Sequence, residues 1–98
     1  MLFRSLEGYP LNSTAIYISW EAMPLSSYKE KLLGYRIRYR RLGSVFYSEV
    51  NVTSNVTEAL IIGLVPKTTY EIEVNGFNIL GQGPARKVPN IETFSFGE

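Results

Sequence analysis

The chain has 98 residues, 45% of them hydrophobic and 13% aromatic, which is enough apolar material for one compact domain with a single core. Ten basic and nine acidic residues leave a net charge of +1, so no global field favours binding to nucleic acid. Because cysteine, histidine and aspartate are absent, the common catalytic triads, zinc sites and calcium loops are excluded, and we expect a non-catalytic protein without cofactor or metal.

Short runs of alternating apolar and polar residues, separated by turn residues, predict an antiparallel β protein rather than a helical one. In chain order, the predicted strands cover residues 2–7, 14–20, 34–41, 46–52, 57–64, 70–75 and 86–93. Turn chemistry predicts reversals at residues 9–12, 23–28, 42–44, 65–67 and 81–84, and a single helical turn fits residues 29–33. Pro89 indicates that the last strand is an edge strand or contains a bulge.

The alternation also assigns each side chain to a face, because successive residues of a strand point to opposite sides of the sheet. The third strand presents three arginines outward, and the sixth presents two glutamates and Asn75. The inward set, together with the corner described below, forms the predicted core and comprises Ile16, Ile18, Trp20, Tyr35, Ile37, Tyr39, Leu64, Pro66, Tyr70, Ile72 and Val74.

Three Asn-x-Ser/Thr triplets begin at Asn12, Asn51 and Asn55, in or beside predicted turns. Such triplets are N-glycosylation acceptors only in secreted chains, and composition alone predicts roughly one. We therefore expect an extracellular glycoprotein, although asparagine, serine and threonine also concentrate in turns for conformational reasons. No apolar run is long enough to span a membrane, so we expect no membrane insertion.

Several groups of residues, in a fixed order, resemble those of fibronectin type III domains over essentially the whole chain. The most specific is Leu64-x-Pro66-x-Thr68-x-Tyr70, which is similar to the tyrosine corner of that family. The remaining marks are Trp20 followed by Pro24, Gly34-Tyr35-x-Ile37-x-Tyr39, and Asn78 followed by Gly81-x-Gly83-Pro84.

The resemblance implies an all-β, seven-stranded antiparallel immunoglobulin-like sandwich, in which a three-stranded sheet packs on a four-stranded sheet without a disulfide. It also implies that the Tyr70 hydroxyl bonds to the backbone at the corner between two strands. We expect one domain over residues 1–98, with its core at about 3–94, belonging to a longer multidomain chain. The last strand departs from the usual spacing by one residue at 88–91, which predicts a bulge.

The third and sixth strands are neighbours in that family, so Arg36, Arg38 and Arg40 are expected beside Glu71 and Glu73. Cross-strand pairing of opposite charges is the simpler explanation of this arrangement. The alternative is a site for a sulfated glycan, to which Arg41, Lys29 and Lys31 would contribute.

A strand that buries Ile61 must turn Leu60 and Ile62 outward, where Tyr17 of the second strand would join them. This apolar patch predicts contact with another domain or a second copy, including weak self-association. The same pattern also fits a harmless surface partly covered by the first strand, or a register that is off by one residue.

These features together predict an adhesion or recognition module of a cell-surface receptor or matrix protein, one unit of a tandem series. Its partners would be other protein domains, including flanking domains of the same chain, and not nucleic acid. The alternative function is a structural spacer without a ligand of its own.

Overall fold

The alternating runs form two antiparallel sheets in the computed structural model, which describes residues 6–21 and 32–97. Within those ranges there is no helix long and apolar enough to cross a membrane. The predicted turn at 23–28, and residues 29–31 of the predicted helical turn with Lys29 and Lys31, lie outside the described residues. The strands are β1 (Leu6–Asn12), β2 (Ala15–Trp20), β3 (Gly34–Arg41), β4 (Ser48–Thr53), β5 (Glu58–Ile61), β6 (Thr69–Asn78), β7 (Gly81–Gln82) and β8 (Arg86–Glu92).

One sheet has three strands in the order β1-β2-β5, and the other has five, with β3 between β4 and β6 and with both β7 and β8 paired to β6. This confirms the predicted all-β sandwich. The strand beyond the expected seven is β7, which forms only two pairs, Phe77↔Gln82 and Asn78↔Gly81. It exists because β6 runs three residues past its predicted end at Asn75 and turns back in a tight hairpin.

The core lies between the two sheets and is built from the inward side chains of both. Ile16 and Ile18 of β2 are fully buried, as are Tyr35 and Ile37 of β3. The Trp20 ring packs against the Tyr35 ring with centroids 5.2 Å apart and planes inclined by 60°. Burial of each such large side chain contributes about 1.5–3 kcal/mol to folding. The alternation of inward and outward residues in these strands therefore specifies much of the fold.

The first strand differs from its predicted position. Among the described residues it runs from Leu6 to Asn12, so residues 6–7 of the strand predicted at 2–7 are confirmed and residues 2–5 lie outside the described part of the chain. The turn predicted at 9–12 was wrong. Pro10 is tolerated because β1 is an edge strand, and the pairing with β2 shifts register between Pro10 and Asn12. The chain reverses only after Asn12, whose side-chain oxygen accepts the backbone N–H of Thr14 at 2.9 Å.

The bulge predicted in the last strand is present. Tyr70 pairs with Ile91 and Ile72 pairs with Val88, so one residue of β6 faces two residues of β8. Pro89 is one of those two, and it lacks the N–H that a regular ladder would require there.

The corner before β6 is held by side chains that bond to the backbone of Val65. The Tyr70 hydroxyl accepts the Val65 N–H at 2.9 Å, which is the contact that the resemblance implies. The Thr93 hydroxyl donates to the Val65 carbonyl oxygen at 2.7 Å and accepts the Thr68 N–H at 3.0 Å. The N–H and the carbonyl oxygen of Val65 are therefore both hydrogen-bonded, although the chain leaves the sheet at this point.

Candidate functional site

The solvent face of the five-stranded sheet carries an arginine ladder, the arginine face, formed by Arg36, Arg38 and Arg40. Arg38 is directly opposite Glu73 and Arg40 is directly opposite Glu71. The Arg40 Nε to Glu71 Oε2 distance is 3.2 Å, and the Arg38 Nη1 to Glu73 Oε2 distance is 3.5 Å. These two guanidinium groups are therefore paired within the domain, in the cross-strand arrangement that the family resemblance implies.

Arg36, the third member of the ladder, donates from Nε to the side-chain oxygen of Asn75 at 3.0 Å. Asn75 was predicted to be an outward residue open to solvent, but it is only 1% exposed. Its side chain is on the predicted face, yet Arg36 and Gln82 cover it, because its amide nitrogen also donates to the Gln82 side chain at 2.5 Å. The β6–β7 hairpin, which sequence reasoning did not anticipate, supplies Gln82.

Tyr47 is a member of the arginine face that sequence reasoning missed. Its ring lies under two guanidinium groups, with the Arg38 Cζ 3.9 Å and the Arg40 Cζ 4.5 Å from the ring centroid. Such cation–π contacts contribute about 0.5–1 kcal/mol each when exposed to solvent. Tyr47 immediately precedes β4 and has the parity of Glu49, which is opposite Arg38, but the prediction for this strand did not assign its side chains to a face.

Glu71 receives two basic partners, because Lys87 Nζ lies 3.4 Å from its Oε1 on the side opposite to Arg40. Desolvation acts to raise the pKa of Glu71, but the hydrogen bond and positive charge of Arg40, aided by Lys87, outweigh it. The pKa of Glu71 is therefore held below its ordinary value.

Arg41, at the end of β3, is exposed.

The solvent face of the three-stranded sheet is different in character. Tyr9, Tyr17 and Leu60 are paired in register across β1, β2 and β5, and they form a continuous apolar row. The Tyr9 and Tyr17 ring centroids are 5.3 Å apart, and Tyr9 and Leu60 are each 51% exposed. Ile62, two residues beyond Leu60, is 66% exposed.

The register of β5 is the predicted one, since Ile61 is 2% exposed while its two neighbours face water. Over the described residues, the first strand leaves Leu60 and Ile62 exposed, and its Tyr9 ring packs beside the Tyr17 ring. It lies beside β2 and extends the patch with Tyr9, a residue that the sequence-based prediction assigned to a turn.

Two carboxylates border the apolar row. Glu7, Ser19 and Glu58 form the adjacent in-register row across the same three strands. The Tyr17 hydroxyl donates a short hydrogen bond to the Glu58 carboxylate, and this bond, with a smaller effect of desolvation, raises the pKa of Tyr17. The surface therefore combines an apolar centre with an acidic margin.

All three sequon asparagines, Asn12, Asn51 and Asn55, are exposed. Asn12 ends β1 and Asn55 follows β4 in a turn, as predicted. Asn51 does not lie in or beside a turn: it is inside β4, because that strand extends from Ser48 to Thr53. No group of three or more metal-binding side chains occurs within residues 6–21 and 32–97.

Comparison with known proteins agrees with this architecture. A family model described as fibronectin type III domain matches residues 4–92. Human neural cell adhesion molecule L1 is 37% identical over 89 residues, a match covering 82% of this chain and 7% of that protein. Bovine receptor-type tyrosine-protein phosphatase F is 36% identical over 96 residues, covering 92% of this chain and 5% of that protein. The chain thus spans only a small fraction of the curated relatives it matches.

Solved structures give the same result. The chicken CNTN1 FN1-FN3 domains superpose with a TM-score of 0.86 at 28% identity, covering 97% of this chain and 32% of that one. The fn3 domain of human contactin 1 gives a TM-score of 0.83 at 28% identity, covering 98% of this chain and 79% of that one. On the family match, the sequence identity and the shared sandwich, this chain belongs to the fibronectin type III family.

Proposed function

We propose that this domain is a non-catalytic adhesion or recognition module of a cell-surface receptor or extracellular matrix protein, and that it docks protein partners through its three-stranded sheet. The observation that carries the proposal is the apolar row of Tyr9, Tyr17 and Leu60, continued by Ile62, on an open sheet face. The names of two relatives, a neural cell adhesion molecule and a receptor-type phosphatase, support the same setting.

The two sheet faces differ in what remains for a partner. On the arginine face, Arg38 and Arg40 are engaged by Glu73, Glu71 and Tyr47, so a ligand would have to displace contacts that already exist. On the three-stranded sheet, the apolar side chains meet water, and covering them releases that water at no cost in broken ion pairs. The second face is therefore the better candidate for recognition.

The size of the row sets the strength of the contact. Its exposed side chains amount to about 300 Å², within the range of the largest apolar patches on ordinary monomers. A stable dimer buries about 1,200 Å² or more in total. We therefore expect weak association, either between copies or with a flanking domain held nearby in the same chain.

A serial arrangement suits this expectation, and the similar chicken chain carries three such units, FN1-FN3, by its name. A neighbour in the same chain is present at high effective concentration, so a small apolar contact is enough to orient it. A structural spacer without its own ligand remains the competing function. If the domain is only a spacer, no substitution on its surface should weaken the binding of a partner.

The experiment compares two matched double variants by sedimentation over a range of concentrations. Leu60→Thr with Ile62→Thr removes the aliphatic part of the patch and introduces threonine, a β-branched residue suited to extended backbone. The control, Ile79→Thr with Leu80→Thr, alters an aliphatic pair that is even more exposed, 72% and 77% against 51% and 66%, in the turn between β6 and β7.

We expect the wild-type domain and the control to show the same weak, concentration-dependent association, and the Leu60/Ile62 variant to lose it. If both variants lose it equally, the association is non-specific. If the wild-type domain does not associate at all, or the Leu60/Ile62 variant associates as the wild type does, docking through this face is contradicted.

A further inference from the structure

The sequon asparagine in β4 is on the same side of the sheet as the arginine face. Asn51 is directly opposite Arg36 in the register of β3 and β4, and residues opposite each other across two strands project from one face. The Asn51 Nδ2 donates to Glu49 Oε2 at 3.4 Å, and the other oxygen of Glu49 is 4.0 Å from Arg36 Nη1. A sugar joined to Asn51 Nδ2 would start beside Arg36.

The crowding that follows is a matter of strand geometry. Neighbouring strands are about 4.8 Å apart, and side chains of a strand stand roughly perpendicular to the sheet. An N-linked glycan is bulky, and sugars rising from Asn51 would start on the arginine face, one strand spacing from Arg36 of β3. They would cover the end of the ladder at Arg36, whereas Arg40 lies four residues farther along the strand.

The other two sequons lie at different places in the fold: Asn12 is opposite Ala15, two residues before Tyr17 in β2, and Asn55 is in the turn after β4. Asn12 ends β1, and its side-chain oxygen is turned to the Thr14 N–H at 2.9 Å and the Thr14 hydroxyl at 3.3 Å. Asn55 is in the turn after β4, where its side-chain oxygen accepts the Thr53 hydroxyl at 2.5 Å. Neither asparagine belongs to the in-register row of Tyr9, Tyr17 and Leu60.

We propose that an N-linked glycan at Asn51 shields the Arg36 end of the arginine face in the secreted domain. The inference rests on the proposed function, because only a secreted chain meets the transferase. In that reaction the glycan passes from a lipid diphosphate carrier to Asn51: an N–C bond to the sugar forms, the sugar–phosphate bond breaks, and Nδ2 loses one proton.

The shield has two consequences for recognition. Arg36 is opposite the amide of Asn75, whereas Arg38 and Arg40 are each opposite a carboxylate. The glycan would keep sulfated polymers away from Arg36. The glycan would also stand on β4, an edge strand, and block the edge-to-edge pairing to which open strands are prone. Both effects direct protein contacts to the opposite sheet.

The test secretes the whole chain from animal cells as wild type, Asn51→Gln, Thr53→Val and Asn12→Gln. Glycopeptide mass spectrometry measures occupancy at each sequon. Labelling of the native protein with phenylglyoxal, an arginine-specific dicarbonyl, measures the reactivity of Arg36 relative to exposed Arg41 in the same molecule. Thr53→Val removes the sequon while keeping Asn51 and a β-branched residue, which guards against a folding defect in Asn51→Gln.

We expect Asn51 to be occupied, and the Arg36-to-Arg41 labelling ratio to be severalfold lower in the wild type and in Asn12→Gln than in the two variants without the Asn51 sequon. Occupancy at Asn12 or Asn55 but not at Asn51 overturns the shield and leaves the proposed function standing. The same holds if Asn51 is occupied and the ratio does not change. An unmodified secreted chain would overturn the shield and also the extracellular setting.

Discussion

The corner around Val65 offers the sharpest test of how the fold is held together. Tyr70→Phe removes the hydroxyl that accepts the Val65 N–H and leaves the ring of this residue, which is only 5% exposed, to fill the same space. The cost is then one hydrogen bond, with a partly exposed donor left behind, because Val65 itself is 44% exposed. A loss of about 1–1.5 kcal/mol in the free energy of unfolding follows.

Thr93→Val acts on the other backbone polar group of Val65, its carbonyl oxygen. It keeps the shape of a side chain that is 2% exposed, but it removes the donor to the Val65 carbonyl oxygen and the acceptor of the Thr68 N–H. Two backbone groups lose their partner, so we expect a loss of about 2–3 kcal/mol. Because Tyr70 and Thr93 hold one segment, the double variant should lose less than the sum of the two single variants.

Urea unfolding followed by the fluorescence of Trp20, the only tryptophan, measures all three variants. Tyr39→Phe is the matched control, since the Tyr39 hydroxyl makes no hydrogen bond to another residue that the structure describes. It should change stability by less than about 0.5 kcal/mol. If Tyr70→Phe is as mild as Tyr39→Phe, or if the losses at Tyr70 and Thr93 simply add, the corner does not act as described.

Three more predictions concern the core and the arginine face. Trp20→Ala should lower the free energy of unfolding by about 3–5 kcal/mol, because a cavity replaces a ring packed on Tyr35. Urea melts followed by circular dichroism measure this loss, and a nearly neutral result would place Trp20 outside the core. The unglycosylated domain should leave a heparin column at or below physiological ionic strength, where charges are screened over about 8 Å, and retention well above that would favour the sulfated-glycan site. Folding lowers the pKa of Glu71 from 4.5, so the ionised carboxylate stabilises the folded state fully at pH values above 4.5. This stabilisation is lost as the pH falls through the lower pKa that Glu71 has in the folded state. The stability difference between wild type and Glu71→Gln should therefore shrink in acid, and a difference that persists unchanged at low pH would contradict the ion pairs.

Much of the fold follows from parity alone. Alternation in β3 and β6 was enough to place Arg38 and Glu73 on outward faces, and the family resemblance made the two strands neighbours. Parity around Ile61 was enough to expose Leu60. These assignments are predictable because one wrong step would bury charges and expose the core.

The rest depended on contacts between segments far apart in the chain. Pro10 and Asn12 are turn formers, and only the pairing of β1 with β2 makes their segment a strand and adds Tyr9 to the apolar row. Tyr47 has the parity of Glu49, but its contact with Arg38 and Arg40 depends on the pairing of β3 with β4, which the strand pattern alone does not give. Thr93 is polar and buried because it serves a backbone group 28 residues away.

Concentration-dependent amide NMR spectra of the isolated domain test most directly whether the three-stranded sheet is the docking face. On concentrating the protein, the backbone signals of residues around Tyr9, Tyr17 and Leu60 should shift or broaden, while those of Arg36 and Glu73 on the opposite face should stay in place. Changes centred on the arginine face, with the three-stranded sheet unaffected, would contradict the proposed function.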